Sequence, residues 1–146
     1  MVAAPVAVAP APVLAPAGFW RRAFALAIDA ALVWLLLFVG DLLARPLVRF
    51  GLVARAFDLT FDLVVPAAYF VLLHGTWGRT AGKALAGVLV LTVSGEPLGY
   101  ARALLRHVAW LLSVLLLLIG FLMVAARSDK RALHDLIAGT RVVRVR

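Results

Sequence analysis

Gly18-Phe-Trp-Arg-Arg-Ala-Phe-Ala-Leu-Ala-Ile-Asp29-Ala-Ala-Leu-Val-Trp-Leu-Leu-Leu-Phe-Val-Gly40 is the stretch that decides how the whole chain is read. Of the eighteen residues from Ala23 to Gly40, only Asp29 is charged. Eighteen mainly apolar residues reach across a bilayer as a helix, and a helix satisfies its own backbone hydrogen bonds in lipid. Arg21 and Arg22 stand at the entrance, where arginines hold a helix end at the head-group surface. Asp29 lies two turns further in, where a carboxylate is costly and marks a partner or a function. Arg22 and Asp29 share a face about 10 Å apart along the axis, too far for an ion pair within one helix. Each must therefore find its partner elsewhere.

Composition agrees with a bilayer. The chain is 65% hydrophobic with a mean hydropathy of +1.06, well beyond the roughly 45–50% apolar content of soluble domains. Its 146 residues suit one small domain. The net charge of +8 sits beside the apolar runs and not in a separate arm. The expected partners are therefore the lipid bilayer and its anionic head groups, not nucleic acid. With no cysteine, the chain has no disulfide framework, thiolate metal site or thiol nucleophile.

Residues 1–17 are nearly all Ala, Val and Pro and read as a flexible, extended tail. They lack the basic start and unbroken apolar core of a signal peptide, so the first membrane helix is expected to remain in the mature protein. The domain proper is residues 18–146, with membrane segments at about 23–40, 57–73 and 108–126. Arginines spaced among apolar residues from Asp41 to Arg55 read as a loop on the interface. The second span contains Asp58, Asp62 and Pro66. After it, four glycines between positions 75 and 87 argue against a stable helix. Val88 to Val93 reads as a strand ended by Ser94-Gly-Glu-Pro97, and Gly139 to Arg146 as its partner in a small sheet at the cytoplasmic face.

The run Val108–Ala126 is charge-free and either crosses or dips in and returns, with Ser113 and Gly120 as bending points. Three crossings divide the fifteen basic residues six against nine; a re-entrant segment divides them twelve against three. The positive-inside rule prefers the second division, with the N-terminus cytoplasmic. The fold expected is thus an all-α integral membrane protein of two to three membrane helices with a two-stranded β pair.

Few residues carry chemistry. Asp135 can accept a charge-assisted bond from Arg22 or Arg21 if the tail folds under the first helix, and His134 beside it has the side chain that titrates nearest neutrality. Asp62 reads as an anchor of the second span. Gly78-Arg-Thr-Ala-Gly82-Lys83-Ala84 approaches a phosphate-binding loop but is one residue short and lacks the Ser or Thr after Lys83. No histidine group has metal-ligand spacing, and no serine sits in a nucleophile elbow. No enzymatic activity, cofactor or metal is expected.

Three blocks together resemble the RDD family of small, mainly bacterial membrane proteins: residues 18–29, Gly75-Thr-Trp-Gly-Arg-Thr-Ala-Gly-Lys-Ala-Leu-Ala-Gly-Val, and Arg131-Ala-Leu-His-Asp-Leu-Ile-Ala-Gly-Thr-Arg-Val-Val. The family's arginine and two aspartates map to Arg22, Asp29 and Asp135, with Arg21, Asp62, Lys83 and His134 as secondary candidates. Ala81 stands where relatives often carry proline. Some relatives look like cation/proton antiporters, so the resemblance implies transport of a small ion or solute with Arg22, Asp29 and Asp135 as a proton-relay set. The alternative is a non-transporting membrane scaffold in which that set is structural. Two or three spans are too few to enclose a pathway, so transport implies a homo-oligomer; scaffolding implies a membrane-protein partner.

Overall fold

The computed structural model describes residues 14–44, 51–116 and 119–145. Helix α1 runs from Phe19 to Ala44 and α2 from Gly51 to Trp77. Both are longer than the apolar runs alone suggest. The charged stretch expected as an interfacial loop is largely helix: Asp41 to Ala44 ends α1, and Gly51 to Arg55 begins α2. Residues 45–50, which include Arg45 and Arg49, lie outside the described residues. α2 also continues through Gly75, and a short helix, α3, follows at Ala81–Leu85. The glycines do not prevent helix there, because Thr80 caps α3 with its side-chain oxygen and Gly78, at φ 64°, makes the turn before it.

α1 is inside-out by the standard of a soluble core helix. Its buried residues are Arg22, Ala25, Asp29 and Val33, spaced three, four and four apart, so the buried stripe carries the charges. Trp20, Phe24, Trp34 and Leu43 on the other faces are 58–82% exposed. The most apolar stretch of α1 is 11% buried, and that of α2 is not buried at all. Two helices this long and apolar, with their apolar surface turned outward, suit a hydrocarbon surround. They pack where Phe61 covers Gly40, a position without room for a Cβ.

Strand β1 (Val88–Thr92) pairs antiparallel with β2 (Thr140–Arg144), Val90 opposite Val142 and Thr92 opposite Thr140. A third edge comes from the segment read as tail. Ala17 donates its backbone N–H to Val142 O at 2.9 Å, Arg144 donates to Ala15 O at 2.8 Å, and Pro16 bridges Val143. Proline is tolerated on an edge because its missing N–H faces away from the ladder. Ala17 is fully buried beside Val88, Val90, Leu98, Ala103 and Val142 in the hydrophobic core. Residues 1–13 of that expected tail lie outside the described residues.

The third apolar run is not an independent segment. Helix α4 begins at Gly99, nine residues before Val108, and ends at Leu115; α5 follows at Ile119–Ala126 and α6 at Leu133–Ile137. α4 runs straight past Ser113, whose hydroxyl donates to Ala109 O, and stops at Leu116. Arg106, just before the run, and Lys130, just after it, both meet the same polar cluster. The run therefore leaves that cluster and comes back to it.

Candidate functional site

Asp135 is fully buried, and four donors reach it. Arg22 Nη1 donates to Oδ2 at 2.5 Å, and the backbone N–H of Ala132 donates to the same oxygen at 3.1 Å. Arg106 Nη1 donates to Oδ1 and to Thr140 Oγ1, and the Thr140 hydroxyl lies 3.4 Å from Oδ1. Arg22 spends every nitrogen: Nε donates to Ala17 O at 3.1 Å and Nη2 to Lys130 O at 2.5 Å. Arg131 closes the cluster from the backbone side, donating to Thr140 O at 3.0 Å and Asp135 O at 3.2 Å. One carboxylate thus joins the start of α1, the middle of α4, the first turn of α6 and the start of β2. Burial pushes its pKa up, but the guanidiniums of Arg106 and Arg22 outweigh that and hold it well below the carboxylate range.

Asp29 is also buried, and among the described residues it meets no cation within ion-pair distance. Tyr69 on α2 donates its hydroxyl to Oδ1 at 2.8 Å, Gly82 its backbone N–H to Oδ1 at 2.8 Å, and Thr80 its hydroxyl to Oδ2 at 2.5 Å. The stretch that approaches a phosphate-binding loop therefore does cradle an anion, and the anion is Asp29. A Cβ on Gly82 would run into the Ala25 carbonyl and the Asp29 carboxylate, so only glycine brings α3 this close to α1. Ala81 donates its N–H to Tyr69 Oη at 3.3 Å.

The secondary candidates divide. Arg21 is exposed and donates to Ala86 O at 3.3 Å. Asp62 is exposed and lines a separate depression with Asp41 and Asp58, away from the clusters. Lys83 faces His74: its ammonium lies 2.7 Å from Nε2, while His74 Nδ1 lies 2.7 Å from Phe70 O. An Nδ1–H imidazole satisfies both contacts, donating to the carbonyl and accepting from the lysine. Burial and then the positive charge of Arg106 lower the Lys83 pKa to about 7. Burial, with Arg106 next in effect, lowers that of His134 to about 3.

Between the two carboxylate clusters lies a cavity of about 60 Å³ whose polar lining is Arg22, Asp29, His74, Lys83, Arg106 and His134. Phe70 and Trp110 form much of its apolar wall, and His107 completes a triangle with them, the three ring centroids 5.8–6.2 Å apart. Among the described residues no three His, Asp or Glu side chains converge as a metal site requires.

Sequence reasoning missed Arg106, Tyr69 and Thr80. Arg106 had a signal: Ala103, Arg106, Ala109 and Ser113 recur at helical spacing and form one buried face of α4. An arginine inside a stripe of small residues points inward. Tyr69 and Thr80 carry no such mark, because a hydroxyl beside an apolar run is equally at home at an interface.

The fold and these blocks define a helical membrane protein built on a buried Arg–Asp set. The chain belongs to the RDD family, whose pattern matches residues 16–139. It is similar to the Bacillus subtilis (strain 168) uncharacterized protein YxaI, at 31% identity over 88% of this chain and 97% of that one. It is likewise 31% identical to the uncharacterized membrane protein YteJ of the same organism, over 87% of this chain and 80% of that one. No solved structure matches.

Proposed function

We propose that this protein is a non-enzymatic scaffold of the cell membrane, in which Arg22, Asp29 and Asp135 lock a surface layer onto the membrane helices. The observation that carries the reading is saturation: Asp135 is held by two guanidiniums and a backbone amide, and Arg22 has no nitrogen left over. A relay group must exchange its proton, and a carboxylate between two arginines holds none at physiological pH. α1 and α2 cross the bilayer, and α4 with α5 dips in and returns, supported by the polar cluster that both ends of the run reach. That arrangement leaves the N-terminal side, the sheet and most basic residues in the cytoplasm, in keeping with the positive-inside rule. The layer so presented meets anionic head groups and a membrane-protein partner or a second copy of the chain.

Cation/proton antiport is the second reading, and one observation favours it. Lys83, its pKa lowered to about 7 by burial and then by Arg106, faces His74 in a shared cavity, so Lys83, not Asp29, would be the proton carrier. Proton flux in proteoliposomes challenged with Na⁺, K⁺ and Li⁺ separates the two. Scaffolding expects no flux above empty liposomes from folded, inserted protein. Cation-driven flux that disappears in Lys83→Gln at unchanged thermal stability would establish transport instead.

A further inference from the structure

The cavity between the clusters has more cationic and donor capacity than the protein itself uses. Arg22, Lys83 and Arg106 line it, while Asp135 is taken up by the two guanidiniums and Asp29 by two hydroxyls and an amide, so neither carboxylate pairs with Lys83, and an anion entering beside it would hold that amine in its charged form. Arg106 makes both of its hydrogen bonds from Nη1, so Nη2 and Nε have no protein acceptor among the described residues. His134 is 5% exposed and lines the same cavity, and its ring is unpartnered. Its Nδ1 has no hydrogen-bond partner, and its Nε2 stops 3.8 Å from Asp135 Oδ1, beyond hydrogen-bond reach. Nδ1 is sealed even from the cavity, so the ring edge that a ligand there can meet is Nε2.

We propose that this cavity binds one phosphate-class oxyanion, held by Arg106, Lys83 and His134, with any ester substituent lying against Phe70 and Trp110. The chemistry fits the donors. Nη2 and Nε of one guanidinium form the planar fork that matches two oxygens of a phosphate. Lys83 has three ammonium hydrogens and gives one to His74, leaving two for a third oxygen. A volume of about 60 Å³ is room enough for a phosphate group. The apolar wall beside it, on helices that meet the bilayer, suits a lipid phosphate as readily as the inorganic ion. Binding of this kind stands whether or not the protein transports anything, so it succeeds or fails separately from the flux assay.

The test is side-chain ¹⁵N histidine NMR on the full chain in a phosphate-free maltoside micelle. Inorganic phosphate is titrated in one arm and phosphatidylglycerol in the other, each against chloride at equal ionic strength. The expected result is a saturable shift of the His134 signals, with affinity about tenfold or more weaker in Lys83→Gln, as loss of a charge-assisted bond requires. Saturation with inorganic phosphate identifies a free anion as the source; saturation with phosphatidylglycerol alone identifies a lipid head group. Lys83→Gln leaves the Asp135 cluster whole, so the variant reports on binding and not on folding. No saturable shift in either arm, shifts equal to those in chloride, or undiminished affinity in Lys83→Gln would overturn the proposal.

Discussion

Asp135 and Asp29 are both sealed from solvent, yet Asp135 faces two guanidiniums and Asp29 faces a phenol, a threonine hydroxyl and a backbone amide. The difference follows from what each must join. Asp135 ties together segments far apart in sequence, from α1 to β2, and long arginine side chains supply the reach. Asp29 holds α3 directly against α1, where Gly82 leaves room only for short donors. A carboxylate between charges is hard to replace; one among hydroxyls has partners that can turn. Tyr69 and Thr80 can each accept as well as donate, whereas Arg22 and Arg106 can only donate.

Asp135→Asn tests the charged side of this contrast and has the largest expected effect. The amide nitrogen must point at one guanidinium, leaving a buried cation unpaired, a loss of about 3–5 kcal/mol. Thermal unfolding in micelles should show the variant folding poorly or melting far below wild type. An unchanged midpoint would mean that the two arginines are satisfied some other way.

His134, next to Asp135, gives the pH dependence. Its pKa is about 3 in the folded chain against 6.5 for the free side chain, so the unfolded state takes up the proton first. Stability must therefore fall as pH drops from about 6.5 toward 3. Asp135, lowered in the folded state, adds its own loss only as pH falls through and below the ordinary carboxylate value of 3.8. His134→Phe is expected to flatten the slope between pH 6.5 and 4 and leave the steeper fall below it. A slope unaltered by the substitution would assign the acid sensitivity to another group.

Asp29→Asn probes the neutral side and should be milder, about 1–3 kcal/mol. The amide can turn toward Thr80, whose hydroxyl already accepts from the backbone N–H of Lys83 at 3.4 Å and can accept again. Its carbonyl then keeps Tyr69 and Gly82. Equal losses for Asp29→Asn and Asp135→Asn would break the contrast. Smallest of all is Ala81→Pro. It removes one 3.3 Å bond to Tyr69 and places proline at the first position of α3, where the ring is favoured, so the midpoint should move by about 1 kcal/mol or less.

The two long apolar helices were legible because eighteen apolar residues interrupted by one acid admit little else, and the paired strands because a Ser-Gly-Glu-Pro turn closes one and basic–apolar mixing marks the other. Helix extents were not. Glycines at 75 and 82 signal a loop by propensity, but tertiary contacts override it: α2 continues under Tyr100, and α3 is fixed by Asp29. For residues 108–126 the run itself is charge-free and carries no record of direction, so only the basic residues flanking it favoured a return over a crossing. In the structure the residues flanking it, Arg106 and Lys130, both reach the Asp135 cluster. Arg22, Asp29 and Asp135 were visible as costly or motif-borne charges. Their division into two clusters was not, since helical spacing alone cannot say which segment supplies a partner.

Amide hydrogen exchange of wild type and Asp135→Asn, mapped along the chain, tests the clamp most directly. If Asp135 locks the surface layer to the membrane helices, the variant loses protection in β2, α6 and residues 15–17, while α1 and α2 keep theirs. Protection unchanged in β2 and α6, in a variant that remains folded, would contradict the clamp and return the Arg–Asp set to a role in chemistry.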